Sequence, residues 1–211
     1  MVPETAWEDD FNRWYDDEHV PVRMEAPGFL SAQRYRRDDG TYLVMYDMAG
    51  PATLTTEQYL TIKDEPSERT SWMLANVGGF TRHLARELGT SGSLEAAEHR
   101  TTTVFTILMS VPDDELAELD AWYVAEHAPM LLECEDWLAV RRFALSGEPA
   151  RYNRLAVHYL ASPEALNSPE RAAARDTEWR KRLGERDWFS SPQTAVWRPH
   201  GPRSHGTMPL L

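Results

Sequence analysis

Cysteine is nearly absent from the chain: Cys134 stands alone. No internal disulfide is therefore possible, which fits a reducing cytoplasm, the expected location. Long apolar runs are also missing. The longest, at residues 104–109 and 43–45, fall far short of the roughly 20 residues that cross a bilayer, and no basic-then-apolar leader pattern opens the sequence. Membrane partners are not expected. Positive charge is scarce, with 22 Lys and Arg against 34 Asp and Glu and a formal net charge of −12. Nucleic acid is excluded as a partner on the same ground, because binding to it rests on cations that neutralise phosphates. No H-E-x-x-H and no paired cysteines occur, so no metal is expected. The absence of G-x-S-x-G, G-x-G-x-x-G and Walker-type loops removes the common hydrolase, dinucleotide and nucleotide readings. Cys134 lies between acidic neighbours that disfavour a thiolate, so it is not a nucleophile candidate.

What the chain does have is a repeat. The string W-Y-x-x-E-H-x-P runs from Trp14 to Pro21 and again from Trp122 to Pro129, a displacement of 108 positions. The same displacement sets Phe29 and Leu30 opposite Trp137 and Leu138, Arg34 opposite Arg142, and Thr5 opposite Asp113. Around 146–150 the second copy gains four residues, after which Leu43 aligns with Leu155. A period this long exceeds the 20 to 50 or so residues of a solenoid unit, so each copy reads as a domain. The reading is residues 1–88 for the first copy, 89–99 for a Gly- and Ser-containing linker, 100–198 for the second copy and 199–211 for a loosely held tail.

Hydrophobic periodicity predicts helices at 6–20 and 114–128 and strands at 29–36, 41–48, 137–145 and 155–160. Helices follow at 55–64, 68–75 and 169–183, and last strands at 80–84 and 194–198. The second copy adds an opening strand at 101–111, giving β-α-β-β-α-β, the ferredoxin-like order. The first copy has no such strand. The fold class is thus α+β, as two tandem ferredoxin-like domains.

On a helix turning 100° per residue, Glu18 falls in the middle of the stripe formed by Phe11, Tyr15 and Val22, with Trp14 and His19 at its margins. Glu126 repeats this between Tyr123 and Met130, flanked by Trp122 and His127. A carboxylate on an apolar face needs a partner. Arg34 and Arg142, alternating with apolar residues on the next strand, are the structural candidates. The functional alternative is that Glu and His line a cavity in which His19 or His127, with an ordinary pKa near 6.5, exchanges a proton with a ligand. Tyr46 and His158 align on the third element of each copy and alternate with apolar residues, so they too are candidate pocket residues. His83 has no assigned role, and His99, His200 and His205 are expected to be solvated.

The Glu-His-x-Pro ends of these helices, and the Gly28-Phe29-Leu30 entry into a strand, resemble the dimeric α/β-barrel superfamily, its EthD-like members in particular. The resemblance implies that the two sheets pack face to face as a pseudo-dimer within one chain, as a monomer or a homodimer, around a small-molecule cavity in one or both halves. Members include cofactor-independent monooxygenases, isomerases, cyclases, dehydratases and some haem proteins, so the fold selects no chemistry. The leading expectation is a cofactor-free cyclase, isomerase or dehydratase acting on a small hydrophobic, aromatic or polyketide-like substrate. His19 and/or His127 would accept or donate the proton, with Glu18 and Glu126 beside them in the catalytic set, and Tyr15, Tyr123, Tyr46 or His158 would donate to a developing oxyanion. Tyr46, His158, Trp14, Trp122, Arg34 and Arg142 would line the substrate. A cofactor-free monooxygenase and a non-catalytic binding or structural module are the alternatives.

Overall fold

A computed structural model describes residues 1–146 and 151–207. The chain divides into two compact units, Met1–Thr81 with Pro199–Leu211, and Arg82–Arg198. Each has its own apolar core.

In the first unit, helix α1 (Glu8–Trp14) continues through a five-residue π-helical turn, Tyr15–His19, into α2 (Val20–Met24). The antiparallel strands β1 (Phe29–Arg36) and β2 (Tyr42–Met48) follow, then α3 (Glu57–Asp64) and α4 (Glu68–Asn76). Thr56 and Ser67 cap these last two helices, each accepting a bond from the backbone N–H three residues on. The first strand that the sequence lacks is replaced by two residues. Met1 exchanges backbone bonds with Tyr42 at 3.0 and 2.8 Å, and Val2 bridges to Gly78.

The second unit begins with β3 (Leu84–Gly92) and α5 (Leu94–Arg100), followed by β4 (Thr103–Met109) and α6 (Leu116–Trp122). A second π-helical turn, Tyr123–His127, leads into α7 (Ala128–Leu131). The unit continues with β5 (Trp137–Ser146), β6 (Arg154–Leu160), α8 (Pro169–Ala174), α9 (Glu178–Gly184) and the start of β7 (Gln193–His205). Its strands lie in the order β7-β4-β6-β5-β3. The first four of these are the four strands of the ferredoxin-like pattern in the expected arrangement.

The segment read from sequence as linker is the end of β3 and most of α5, and residues 199–205 of the segment read as tail are strand. Residues 84–92 pair with β5 of the second unit, and residues 199–205 lie along β1 of the first. Each unit is thereby completed by the strand that follows the other copy in sequence. The expected strand at 80–84 begins only at Leu84, and the expected helix 169–183 is broken between Ala174 and Glu178, where Thr177 starts a new N-cap. The four residues gained by the second copy, 147–150, lie outside the described residues, as does the end of the tail from 208.

Glycines that looked like linker punctuation permit close strand approach. Gly92 has φ +85°, and a Cβ there would stand 2.4 Å from the Leu138 carbonyl oxygen and 3.0 Å from the Ala139 Cα. Left-handed strain and overpacking together predict that Gly92→Ala costs about 2–4 kcal/mol. The midpoint of urea unfolding checks this, and an unchanged midpoint would contradict the strand placement.

Candidate functional site

The repeated motif forms a π turn in both copies, and its proline supplies a reason. Pro21 and Pro129 have no N–H to give to residue i−4, and in a regular α-helix their rings would press on that residue's carbonyl. The chain widens just before them. The Val20 N–H reaches back five residues to the Tyr15 carbonyl, and the Ala128 N–H reaches the Tyr123 carbonyl in the same way. The extra residue in the turn shifts the helical phase and corrects the expected stripe. His19 and His127 turn inward, 7% and 8% exposed, while Glu18 and Glu126 move to the margin.

Each histidine packs on the aromatic pair that precedes it. The His19 ring lies 4.2 Å from Trp14 and 4.8 Å from Tyr15. His127 stacks on Trp122 at 4.1 Å and meets Tyr123 edge-on at 5.2 Å. Burial holds the His19 imidazole well below its usual pKa, and it brings His127 down to about 3, with Arg180, Arg171 and Arg175 acting in the same direction. Both rings are neutral at pH 7. Tyr15 and Tyr123, also buried, have raised pKa values and remain protonated. The Tyr15 hydroxyl donates to Met1 Sδ at 3.1 Å.

The expected Glu–Arg pairs do not form. Glu18 accepts from the Ser67 hydroxyl and from the Thr70 hydroxyl at 2.7 Å, and Glu126 accepts from Trp122 Nε1 at 3.0 Å and Thr177 Oγ1 at 2.6 Å. Both glutamates therefore tie the motif helix to the N-cap of a later helix. At the margin of the face they reach the hydroxyls of Ser67, Thr70 and Thr177, and the arginines reach aspartates earlier on the motif helix, Asp16 and Asp120. Arg34 donates to Asp16 at 2.6 Å and to Asn12, with its guanidinium 4.6 Å from the Tyr15 ring. Arg142 donates to the Asp120 carbonyl at 3.3 Å. Trp14 is fully buried, its Nε1 donating to Thr70 Oγ1 at 2.9 Å, and Trp122 is 2% exposed.

Tyr46 on β2 and His158 on β6 face these motif helices. His158 Nδ1 accepts from Trp137 Nε1 at 3.2 Å, so its proton sits on Nε2, which has no partner. His127 donates to the Ala174 backbone carbonyl, while its Nδ1 is buried and unpartnered. The second unit thus holds a free imidazole lone pair and a free imidazole N–H in one buried cluster, where His127 and His158 act electrostatically on each other. The first unit repeats the arrangement, with an unpartnered His19 Nδ1 and an unpartnered Tyr46 hydroxyl. Burial pushes the Tyr46 pKa up to about 12, so that hydroxyl stays a donor. His200, expected to be solvated, is half-buried instead, 3.2 Å from Asn12 Oδ1 and 5.3 Å from the Tyr42 ring. His83, His99 and His205 are exposed.

Surface depressions of about 350 Å³, beside Leu60, and about 440 Å³, beside Trp188, contain none of the predicted site residues. Among the described residues no group of three or more His, Cys, Asp or Glu is arranged to hold a metal ion, and no helix is long and apolar enough to cross a membrane.

No family model matches the sequence, and no curated protein matches it. Solved structures do match. An anthrone oxidase-like protein superposes with a TM-score of 0.69 at 13% identity, over 100% of this chain and 92% of the other. A putative monooxygenase of Fusobacterium nucleatum gives 0.55 at 12% identity, over 97% and 89%. The chain shares the ferredoxin-like fold of these structures. At these identities the likeness carries the fold alone, and the chemistry has to be read from side chains.

Sequence reasoning missed one part of the cluster, the aromatic and cationic groups brought by α8, α9 and the segment after them. The Arg171 guanidinium lies 5.8 Å from the Phe105 ring, and that ring is 5.8 Å from His158. The Arg180 guanidinium lies 4.3 Å from Phe189, which in turn meets Trp122 at 5.6 Å. The available signal was Arg171, Arg175 and Arg180 within ten positions of an otherwise acidic chain.

Proposed function

We propose that the chain is a cofactor-independent enzyme that moves a proton on a small aromatic or polyketide-like molecule, with its working site in the second unit. The observation that carries this reading is the complementary pair of unpartnered nitrogens, His127 Nδ1 as a base and His158 Nε2–H as a donor. The neutral imidazole keeps its lone pair free at pH 7, the anion that forms against it offsets the burial that weakens it as a base, and an N–H fixed nearby can stabilise the oxygen on which charge develops. His127 is 8% exposed and His158 1%, so a ligand meets the base first and the donor deeper. Tyr123 is a second neutral donor beside the pair, and Glu126 holds the turn that aims His127.

Abstraction of a proton next to a carbonyl serves isomerisation, cyclisation and dehydration alike. It also serves a cofactor-free monooxygenase or oxidase, in which the substrate carbanion itself reduces dioxygen. The likeness to an anthrone oxidase-like protein and a putative monooxygenase favours this second branch. Anthrone is a suitable probe, because exchange of its C10 hydrogens into deuterated buffer reports proton transfer and oxygen uptake reports the oxidative branch. Exchange is expected to exceed the buffer rate and to fall by about 100-fold or more in His127→Gln. No acceleration by the native protein, or full rate in the variant, would remove the proposed base. Acceleration without oxygen uptake would leave the isomerase and cyclase branch.

A further inference from the structure

We infer that the second unit recognises an anionic aromatic ligand, a carboxylate or phenolate, through Arg171 and Arg180 with Arg175 beside them. This deepens the reading of His127 as a base by naming the class of molecule placed against it. Three arginines converge here without a counter-charge. Among the described residues no carboxylate pairs with any of them: Asp176 and Glu178 are held by Lys181 at 3.1 and 3.2 Å, and Glu126 is occupied by Trp122 and Thr177. In a chain of net charge −12, unpaired clustering of this kind is costly. Arg175 repels both neighbours, and the Arg171 and Arg180 guanidiniums are partly buried and have lowered pKa values. All three act electrostatically on His127, whose unpartnered Nδ1 lies in the same cluster.

One Arg171 nitrogen donates to the Leu166 carbonyl, and the remaining donors of Arg171 and those of Arg180 stand over Phe105 and Phe189, an arrangement suited to a flat ring bearing a negative group. Duplication argues against a purely structural role. Counted from their N-caps, Arg171 and Arg180 correspond to Tyr59 and Thr70 in the first unit, which folds in the same order without them. Anion recognition is thus a property of one copy, laid over a shared scaffold.

The test uses the full chain and two probes with the same ring, 2-naphthoate and its methyl ester, with binding followed by titration calorimetry. The acid is expected to bind about tenfold or more tighter than the ester. That preference should be lost in R171Q/R180Q, retained in R171K/R180K, and weakened when NaCl rises from about 0.05 to about 0.5 M. Equal binding of acid and ester by the native protein, or a preference that survives in R171Q/R180Q, would overturn the inference. If the double variant fails to fold, the salt dependence decides in the native protein: an acid preference insensitive to salt overturns it equally. His127→Gln should keep the preference for the acid while losing proton exchange, so the two readings fail separately.

Discussion

Lowering the pH from 7 to 5 is expected to destabilise the protein steeply, well before its carboxylates titrate. His127 binds a proton only below about pH 3 when folded, whereas the unfolded chain binds it near 6.5. Between those values the unfolded state carries more protons, so stability is complete above about 6.5 and falls with pH by about 1.4 kcal/mol per unit from this residue alone. His19 and His158 are depressed in the same direction by burial and add to the slope. Domains are stable by only about 5–15 kcal/mol, so this is a large share of the total. Glu8 and Glu87, whose pKa values are lowered by hydrogen bonds from Tyr42 and Arg141, lose their contributions only below the ordinary carboxylate range. The window from 5 to 6.5 therefore isolates the histidines. Urea midpoints at pH 7, 6 and 5 measure the effect, and His127→Gln should reduce the slope without abolishing it, because His19 and His158 remain. A midpoint constant across this range would mean that the imidazoles are not buried as neutral groups.

The same neutrality is what the sequence could not show. Duplication, the α+β class and most strands were legible because they rest on patterns of period two and on register between copies. β1 falls at Phe29–Arg36, where alternation placed it. The facing of the motif helix was not legible, because a uniform 100° advance ignores the π turn that precedes Pro21 and Pro129. One extra residue exchanges the environments of glutamate and histidine, burying the imidazoles and moving the carboxylates to the margin. The linker and tail were misread for a different reason. Gly89 and Gly92 carry no side chain to reveal a strand, and Gly206, just past the end of β7, shows its role only in its approach to the Phe29 carbonyl. The arginines were missed because helices α8 and α9 are too short to show a polar face, and their convergence depends on the break at Thr177.

The second large effect concerns the tryptophans, whose placement decides between lining a ligand and sealing a core. Trp14 is fully buried, 4.2 Å from His19 and 6.0 Å from Phe11, and its Nε1 bonds to Thr70, which bonds in turn to Glu18. Trp14→Ala should therefore cost about 3–5 kcal/mol from the cavity, and about 1–3 more because the buried Thr70 hydroxyl oxygen loses the donor it accepts from. Trp14→Phe keeps most of the ring volume and should cost no more than about 1–3 kcal/mol, the loss of the hydrogen bond. Trp122 makes the shorter connection, directly to Glu126, and Trp122→Ala should behave like Trp14→Ala. Chemical denaturation of the three variants measures this ordering. A loss below about 2 kcal/mol in Trp14→Ala, the bottom of the range for truncating a buried side chain, would show that the indole faces an open space and would restore it to the ligand-lining set. The expected outcome leaves the aromatic pair as the wall that keeps water from the imidazole. A wall of that kind serves proton transfer by fixing the protonation state of the base, with no contact between indole and substrate.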